Sequence, residues 1–362
     1  MTQITDNKAA WLPFEKAPAL EVGPGPTPNP GENEVVIKVA YAAVNPTDWI
    51  MQDQPYAHPQ YPFIIGVDVS GTVAQLGSAA TRFEIGQRVI GHCDSLLTLK
   101  ATNAGFQHYT TCREILVTEV PNSVPLANAA VLPLAIDTAS TGLFKHLKLP
   151  FPSVDPKPTG KTILIWGGSS SVGSTAIQLA LAAGLTVATT AGAHNKAYVK
   201  EIGATHIFDH KDPNVVQEIS KILKTGDVVF DAIAVEGSQK ACATILHNIG
   251  GGKLPVVLWP VPIEYDDVES VFGMLQTLLI SVVTFAYTQD AVNGLDPGLV
   301  DLDIGDAVWR KFLPQALAAG KFQAKPDPEV LEGGLEKVQE GIDILRKGVS
   351  AKKIVIEIAK HD

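Results

Sequence analysis

The residues best placed by type and spacing to do chemistry together lie in one short run, Trp166-Gly167-Gly168-Ser169-Ser170-Ser171-Val172-Gly173. The strand-like Ile163-Leu164-Ile165-Trp166 leads directly into it, and a helix-like segment follows. A glycine-rich turn in that setting lets the backbone approach a pyrophosphate and aims the free N–H groups of a helix N-terminus at it. The dinucleotide pattern G-x-G-x-x-G is degraded here. Gly168 and Gly173 fit its first and third positions, and Ser170 stands at the second. Serine is small enough for close approach and adds a hydroxyl. The bland alternative is a Gly/Ser-rich loop with no ligand, but strand, turn, helix and second strand in series favour a dinucleotide.

The end of the second strand bears on which dinucleotide. An enzyme using NAD places Asp or Glu about 20 residues after the turn, to grip the ribose hydroxyls. Here that region reads Thr189-Thr190-Ala191-Gly192-Ala193-His194-Asn195-Lys196, with no acid before Glu201. Small groups followed by His194, Lys196 and Lys200 suit a 2′-phosphate, which a carboxylate would repel. Taken singly, Lys196 and Lys200 read equally well as solvated helix charge; the missing acid carries the argument for NADPH.

Metal chemistry has little to work with. His92-Cys93-Asp94 is the one tempting local cluster, yet neighbours in a strand point to opposite faces. Zinc needs three or four thiolate, imidazole or carboxylate ligands in tetrahedral array, so no metal is expected.

The elements that must position these residues fall into two sets, as a chain of 362 residues allows. The first 150 or so residues read as β-rich, with β-branched runs at Val35 to Tyr41 and Val69 to Ala74 and frequent glycine punctuation. Leu134 to Leu147 looks helical, and four prolines between Leu149 and Pro158 mark a boundary. From Lys161 strands and helices alternate, the pattern of a parallel sheet covered on both faces. Two helical segments, Asp306 to Ala319 and Gly333 to Arg346, precede a last strand, Lys353 to Ile358. Such a strand can return to the first domain and leave the nucleotide domain as an insertion. The expected domains are therefore 1–155 with 300–362, and 156–299.

Composition narrows the partners. With 46% hydrophobic and 18% charged residues the chain is globular, and its net charge of -10 disfavours nucleic acid and anionic membrane. A small-molecule substrate is expected. Cys93, Cys112 and Cys242 are few, odd in number and dispersed, which gives no disulfide framework and suits a reducing compartment. Met1 to Lys8 carries no apolar signal core, and Leu278 to Ala286 is too short to span a bilayer. The expected location is the cytoplasm.

Several strings together resemble the medium-chain dehydrogenase/reductase superfamily. They are Val44-Asn45-Pro46-Thr47-Asp48, Gly66-Val67-Asp68-Val69-Ser70-Gly71-Thr72-Val73, Gly86-Gln87-Arg88-Val89-Ile90-Gly91, Gly105-Phe106-Gln107-His108-Tyr109, Ala129 to Ala135 and the Gly turn. Within it the chain is similar to the zinc-independent quinone oxidoreductase and trans-acting enoyl reductase branch. The resemblance implies an α/β architecture: a GroES-like β-rich catalytic domain plus a doubly wound Rossmann NADPH-binding domain, with the active site between them. Where zinc-dependent relatives carry a catalytic Cys, this chain has Asn45 or its neighbours, and where they carry a His-Glu pair it has Val67-Asp68. Without that Lewis acid, hydride transfer to a C=C bond conjugated to a carbonyl is the suited reaction.

The resemblance also assigns roles. Asn45, Pro46, Thr47 and Asp48 line the nicotinamide side; Gly168, Ser169, Ser170, Ser171 and Val172 hold the pyrophosphate. Gly192, Ala193, His194, Asn195 and Lys196 surround the adenosine phosphate, and His210 contacts the adenine ribose. Ile233 and Ala234 stand beside the nicotinamide ribose, Thr138 bonds the carboxamide, and Lys352 and Lys353 reach back to the cofactor. Tyr56 occupies the spacing of a proton-donating tyrosine, with Thr47 and Asn45 as the other catalytic candidates. The expected substrate is an unsaturated carbonyl compound, free or carrier-bound, or a quinone. A zinc-free alcohol or aldehyde oxidoreductase and a non-redox NADPH-binding partner of a synthase are the alternatives. Monomer and homodimer both remain open, with Leu279 to Phe285 as a possible pairing edge.

Overall fold

The computed structural model describes residues 4–55, 59–272 and 301–359. Its strands, in chain order, begin with β1 (Lys8–Leu12), β2 (Glu21–Pro24), β3 (Glu34–Ala43), β4 (Phe63–Ile64), β5 (Asp68–Leu76), β6 (Arg88–His92), β7 (Tyr109–Arg113) and β8 (Val117–Glu119). There follow β9 (Thr162–Trp166), β10 (Thr186–Thr190), β11 (His206–Phe208), β12 (Val228–Asp231), β13 (Gly252–Val256) and β14 (Val268–Phe272). The last two are β15 (Asp327–Leu331) and β16 (Lys352–Glu357).

The chain divides into two compact units, Met1–Leu134 with Leu278–Asp362, and Ala135–Thr277. The break therefore falls upstream of the proline-rich stretch that the sequence suggests as a boundary. Hydrogen bonds explain the difference. Ser153 N–H donates to Ala182 O at 2.8 Å and Thr159 N–H to Gly184 O at 2.9 Å, so this stretch is tied to the second unit.

The first unit is built on β3, whose run of β-branched and small residues is buried along most of its length. It pairs with β5, β7 and β16, all antiparallel, within the order β15-β16-β3-β5-β6-β8. Among the described residues the unit also holds a second sheet, β2-β1-β4. Gly71 is demanded by close packing, because a Cβ there would lie 2.0 Å from Lys38 O. The register has a direct consequence for chemistry. Asp68 lies opposite Ala43 at the end of β3, and Val44 N–H donates to Ile354 O at 2.9 Å. Asn45, Asp68 and Lys353 are thus drawn to one place.

The second unit holds a six-stranded sheet ordered β11-β10-β9-β12-β13-β14, parallel throughout. From β9 the chain steps outward through β10 to β11, then returns to the other side of β9 with β12. Ligands of such sheets bind beyond the carboxyl ends of the strands at that reversal. The helical run Leu126–His146 is long and apolar enough to cross a membrane, but 78% of its most apolar window is buried within the protein. Leu279 to Phe285 lies outside the described residues.

Candidate functional site

At the carboxyl end of β9 the chain turns through Gly167, with φ of 84°, into the helix Ser171–Ala182. The three glycines of the turn are sterically required. A Cβ on Gly167 would lie 2.2 Å from the Ile233 side chain, one on Gly168 2.1 Å from Thr189 Oγ1, and one on Gly173 2.2 Å from Gly167 O. Ser170 is the helix N-cap, its Oγ accepting from Gly173 N–H at 3.0 Å. Its hydroxyl therefore stabilises the helix start, a contribution of about 1 kcal/mol. The hydroxyl left over is that of Ser171, buried and without a partner among the described residues. A partnerless hydroxyl at a helix N-terminus, beside a turn that admits no side chain, fits an anionic phosphate group.

The turn is pinned from β10. Gly167 N–H donates to Thr190 Oγ1 at 2.9 Å and Gly168 N–H to Thr190 O at 2.9 Å, while Asn195 Nδ2 donates to Ser169 Oγ at 3.2 Å. A cavity of about 510 Å³ opens here, lined among others by Gly167, Ser169, Gly192, His210 and Ile233. Four residues assigned to the cofactor, Ser169, Gly192, His210 and Ile233, thus share one cavity. Ala193, His194 and Lys196 lie exposed just after β10, and no carboxylate occupies that strand end. An acid does arrive from the next strand, since Asp209 stands 3.9 Å from the His210 ring. The Lys211 N–H, with the nearby His210, Lys196 and Lys211 side chains, holds its carboxyl below the usual range.

Sequence reasoning overlooked Asp231, at the end of β12. Its Oδ1 accepts from Ile233 N–H at 2.9 Å and Ala234 N–H at 2.8 Å, and its Oδ2 from Ser238 Oγ at 2.6 Å. Ala234 takes a φ of 56°, held further by Gln239 Nε2 donating to its carbonyl at 2.8 Å. Asp231 thereby shapes the Ile233–Ala234 corner of the cavity, and burial pushes its carboxyl up. An Asp ending a strand two residues before the assigned Ile233 was the available signal. Thr138, also in this unit, is buried in the helix Pro133–Ser140.

In the first unit Asn45, Pro46, Thr47 and Asp48 open the helix Pro46–Asp53, with Asn45 as N-cap. Asn45 N–H donates to Asp48 Oδ2 at 2.7 Å, the reciprocal half of a capping box. Asp48 Oδ1 accepts from Gly66 N–H at 3.1 Å. The Asn45 amide is engaged on both ends: Nδ2 donates to Asp68 Oδ2 at 2.8 Å and to Ala43 O at 3.3 Å, and Oδ1 accepts from the Lys353 ammonium. Asn45, Thr47, Asp48, Asp68 and Lys353 are all buried. Burial, reinforced by the Asp68 charge, pushes the Asp48 carboxyl up to about 7, against the opposing pull of the Asn45 N–H and Lys353. Lys352 is exposed and pairs with Glu329 at 3.2 Å. Tyr56 lies outside the described residues.

The donor set around Asn45 does not suit zinc: one carboxamide and one carboxylate face an ammonium ion. Among the described residues no three His, Cys, Asp or Glu side chains gather to hold a metal. At His92-Cys93-Asp94, Asp94 is paired with Arg113, and Cys93 Sγ lies 3.6 Å from Cys112 Sγ.

A doubly wound parallel sheet with an anion cradle at its reversal, in a chain that also builds a β-rich unit closed by its last strand, defines an alcohol-dehydrogenase-like oxidoreductase. The comparisons agree. Residues 31–122 match the alcohol dehydrogenase GroES-like domain and residues 171–257 the zinc-binding dehydrogenase family. The chain is 59% identical over 356 residues to the trans-enoyl reductase himH of Aspergillus japonicus, covering 98% of each chain. It is 38% identical to the dehydrogenase pigH of Monascus ruber, over 97% of this chain and 99% of that one. Its fold is similar to the crystal structure of CurK enoyl reductase, with TM-score 0.72 and 22% identity over 98% of this chain and all of that one. The chain belongs to the medium-chain dehydrogenase/reductase superfamily, in its enoyl-reductase-like branch. That family and the Rossmann unit imply a nicotinamide cofactor.

Proposed function

We propose that this chain is an NADPH-dependent, zinc-independent reductase of the C=C bond in an α,β-unsaturated carbonyl compound. The observation that carries the reading is the similarity to the trans-enoyl reductase himH, 59% identical across 98% of both chains. The site is consistent with it. A bound nicotinamide supplies the hydride. The turn at Gly167, Gly168 and Gly173, the Ser171 hydroxyl and the corner shaped by Asp231 hold and orient the cofactor in the second unit. Hydride arriving at the β-carbon sends negative charge to the carbonyl oxygen, which a hydrogen-bond donor stabilises while a proton is delivered to the α-carbon. Thr47 and Tyr56 are our candidates for that donor.

The absence of a carboxylate at the end of β10, with His194 and Lys196 exposed there, supports NADPH over NADH. The zinc-free reading rests on the ammonium among the Asn45 and Asp68 donors. The substrate is a small molecule, free or carried on a synthase. The second reading, oxidation of a saturated alcohol or reduction of a ketone, draws on the 38% identical dehydrogenase pigH.

The test is loss of 340 nm absorbance with NADPH, then NADH, against enoyl thioesters, enones, quinones and saturated ketones, with metal analysis of the same protein. Turnover of the enoyl thioesters with NADPH by metal-free protein is expected. Turnover confined to ketones or alcohols would establish the second reading instead.

A further inference from the structure

Lys353 is the second residue of β16 and is 4% exposed, and burying an ammonium group is costly unless charged partners meet it. Its Nζ donates to Asn45 Oδ1 and lies 3.3 Å from Asp68 Oδ2. Asp68 in turn accepts from Asn45 Nδ2 at 2.8 Å and from Leu134 N–H at 2.7 Å. A closed triangle results, in which each of the three side chains bonds the other two. Its corners come from the helix N-cap just after β3, the first residue of β5 and the second residue of β16. The triangle fixes which way the Asn45 amide faces, because the cation selects the oxygen and the carboxylate selects the nitrogen. Through the Asn45 backbone N–H it also holds Asp48, and so the helix start that carries Thr47.

We infer that Lys353 is a positioning residue: an internal cation that locks Asn45 and Asp68 and so sets the Asn45–Asp48 turn, rather than a contact of the cofactor. For its effect on turnover the inference rests on the enoyl reductase reading. Its effect on the cluster itself does not. The charged or titratable groups facing Asp48 are Asp68 from β5 and Lys353 from β16, which act on it in opposite directions. Removing the cation leaves the two acids facing each other, and the proton on Asp48 is then held to higher pH.

The experiment compares wild type, Lys353→Arg and Lys353→Met in three measurements: Tm between pH 5 and 9, the NADPH Kd by fluorescence, and kcat and KM on an enoyl thioester. In Lys353→Met the pH at which the Asp48-linked decline in stability levels off moves up by at least about one unit, and Lys353→Arg keeps the wild-type profile. NADPH Kd stays within about threefold while kcat falls at least about tenfold. An unshifted profile in Lys353→Met overturns the proposal. So does a tenfold weaker NADPH Kd with kcat intact, which would make Lys353 a cofactor contact. If Lys353→Met does not fold, Asp68→Asn serves in its place. It removes one acid from beside Asp48, so the decline must level off at lower pH, and an unmoved end-point refutes the triangle. If wild type turns over no enoyl thioester, the functional reading fails while the Tm profiles still decide the role of Lys353.

Discussion

At the residue scale the chemistry divides between groups that sequence neighbours explain and groups that they do not. The Gly turn is of the first kind in its sequence pattern and at Gly173, which Gly167 O blocks, although Gly167 and Gly168 are required by Ile233, just past β12, and Thr189 of β10. The Asn45 cluster is of the second. Lys353 meets Asn45 across 308 positions, and no local pattern announces that contact. Asp48 gives a pH prediction with a definite sign. Its carboxyl sits at about 7 in the fold against an ordinary value of 3.8, so the folded protein holds the proton more tightly. The stability this contributes is full below about pH 4 and is lost as pH rises through about 7. Asp48→Asn stays neutral throughout. Wild-type stability should therefore fall relative to the variant from pH 5 to 8, by about 2.5 kcal/mol in denaturant titrations. A difference that is flat with pH would refute it. For the proton donor, Thr47→Ala and Tyr56→Phe separate the candidates: the true donor loses about 100-fold in kcat with little change in KM.

At the element scale the strand–turn–helix around Gly173 is the part most sensitive to a single methyl group. Gly173→Ala places a Cβ 2.2 Å from the Gly167 carbonyl oxygen, a backbone atom that yields only if the turn opens. NADPH Kd should rise at least about tenfold, read by fluorescence titration, with most of the far-UV circular dichroism retained. The segment after β10 sets the choice between nicotinamides. The double variant His194→Ala with Lys196→Ala should cut the NADPH-over-NADH preference in kcat/KM by about tenfold or more, mainly through NADPH. An unchanged ratio would relocate the 2′-phosphate, with His210 and Lys211 the next cations to replace. Element types were legible here because apolar runs of strand length alternate with helical periodicity from Lys161 onward. The prolines between Leu149 and Pro158 announce a loop without telling which unit its hydrogen bonds join.

At the scale of the whole molecule, two units share one chain, and the first is assembled from segments far apart in sequence. The cofactor residues of the Gly turn all lie in the second unit. Calorimetry with NADPH at about 100 times its Kd should stabilise the transition of that unit by about 2.7 kcal/mol. NADH at the same concentration should do markedly less, and equal shifts would contradict the NADPH reading. The sequence by itself determined the nucleotide unit, its Gly turn, the acid-free end of its second strand and the family, because those signals are short-range and repeat in a fixed order. The fold alone reveals that Ser170 caps the helix while the Ser171 hydroxyl has no partner among the described residues, and that Asp231 shapes the cavity corner. It alone brought Lys353 between Asn45 and Asp68. The physical reason is that register between β3, β5 and β16 is a property of the folded sheet, and burial is what makes the paired charges matter.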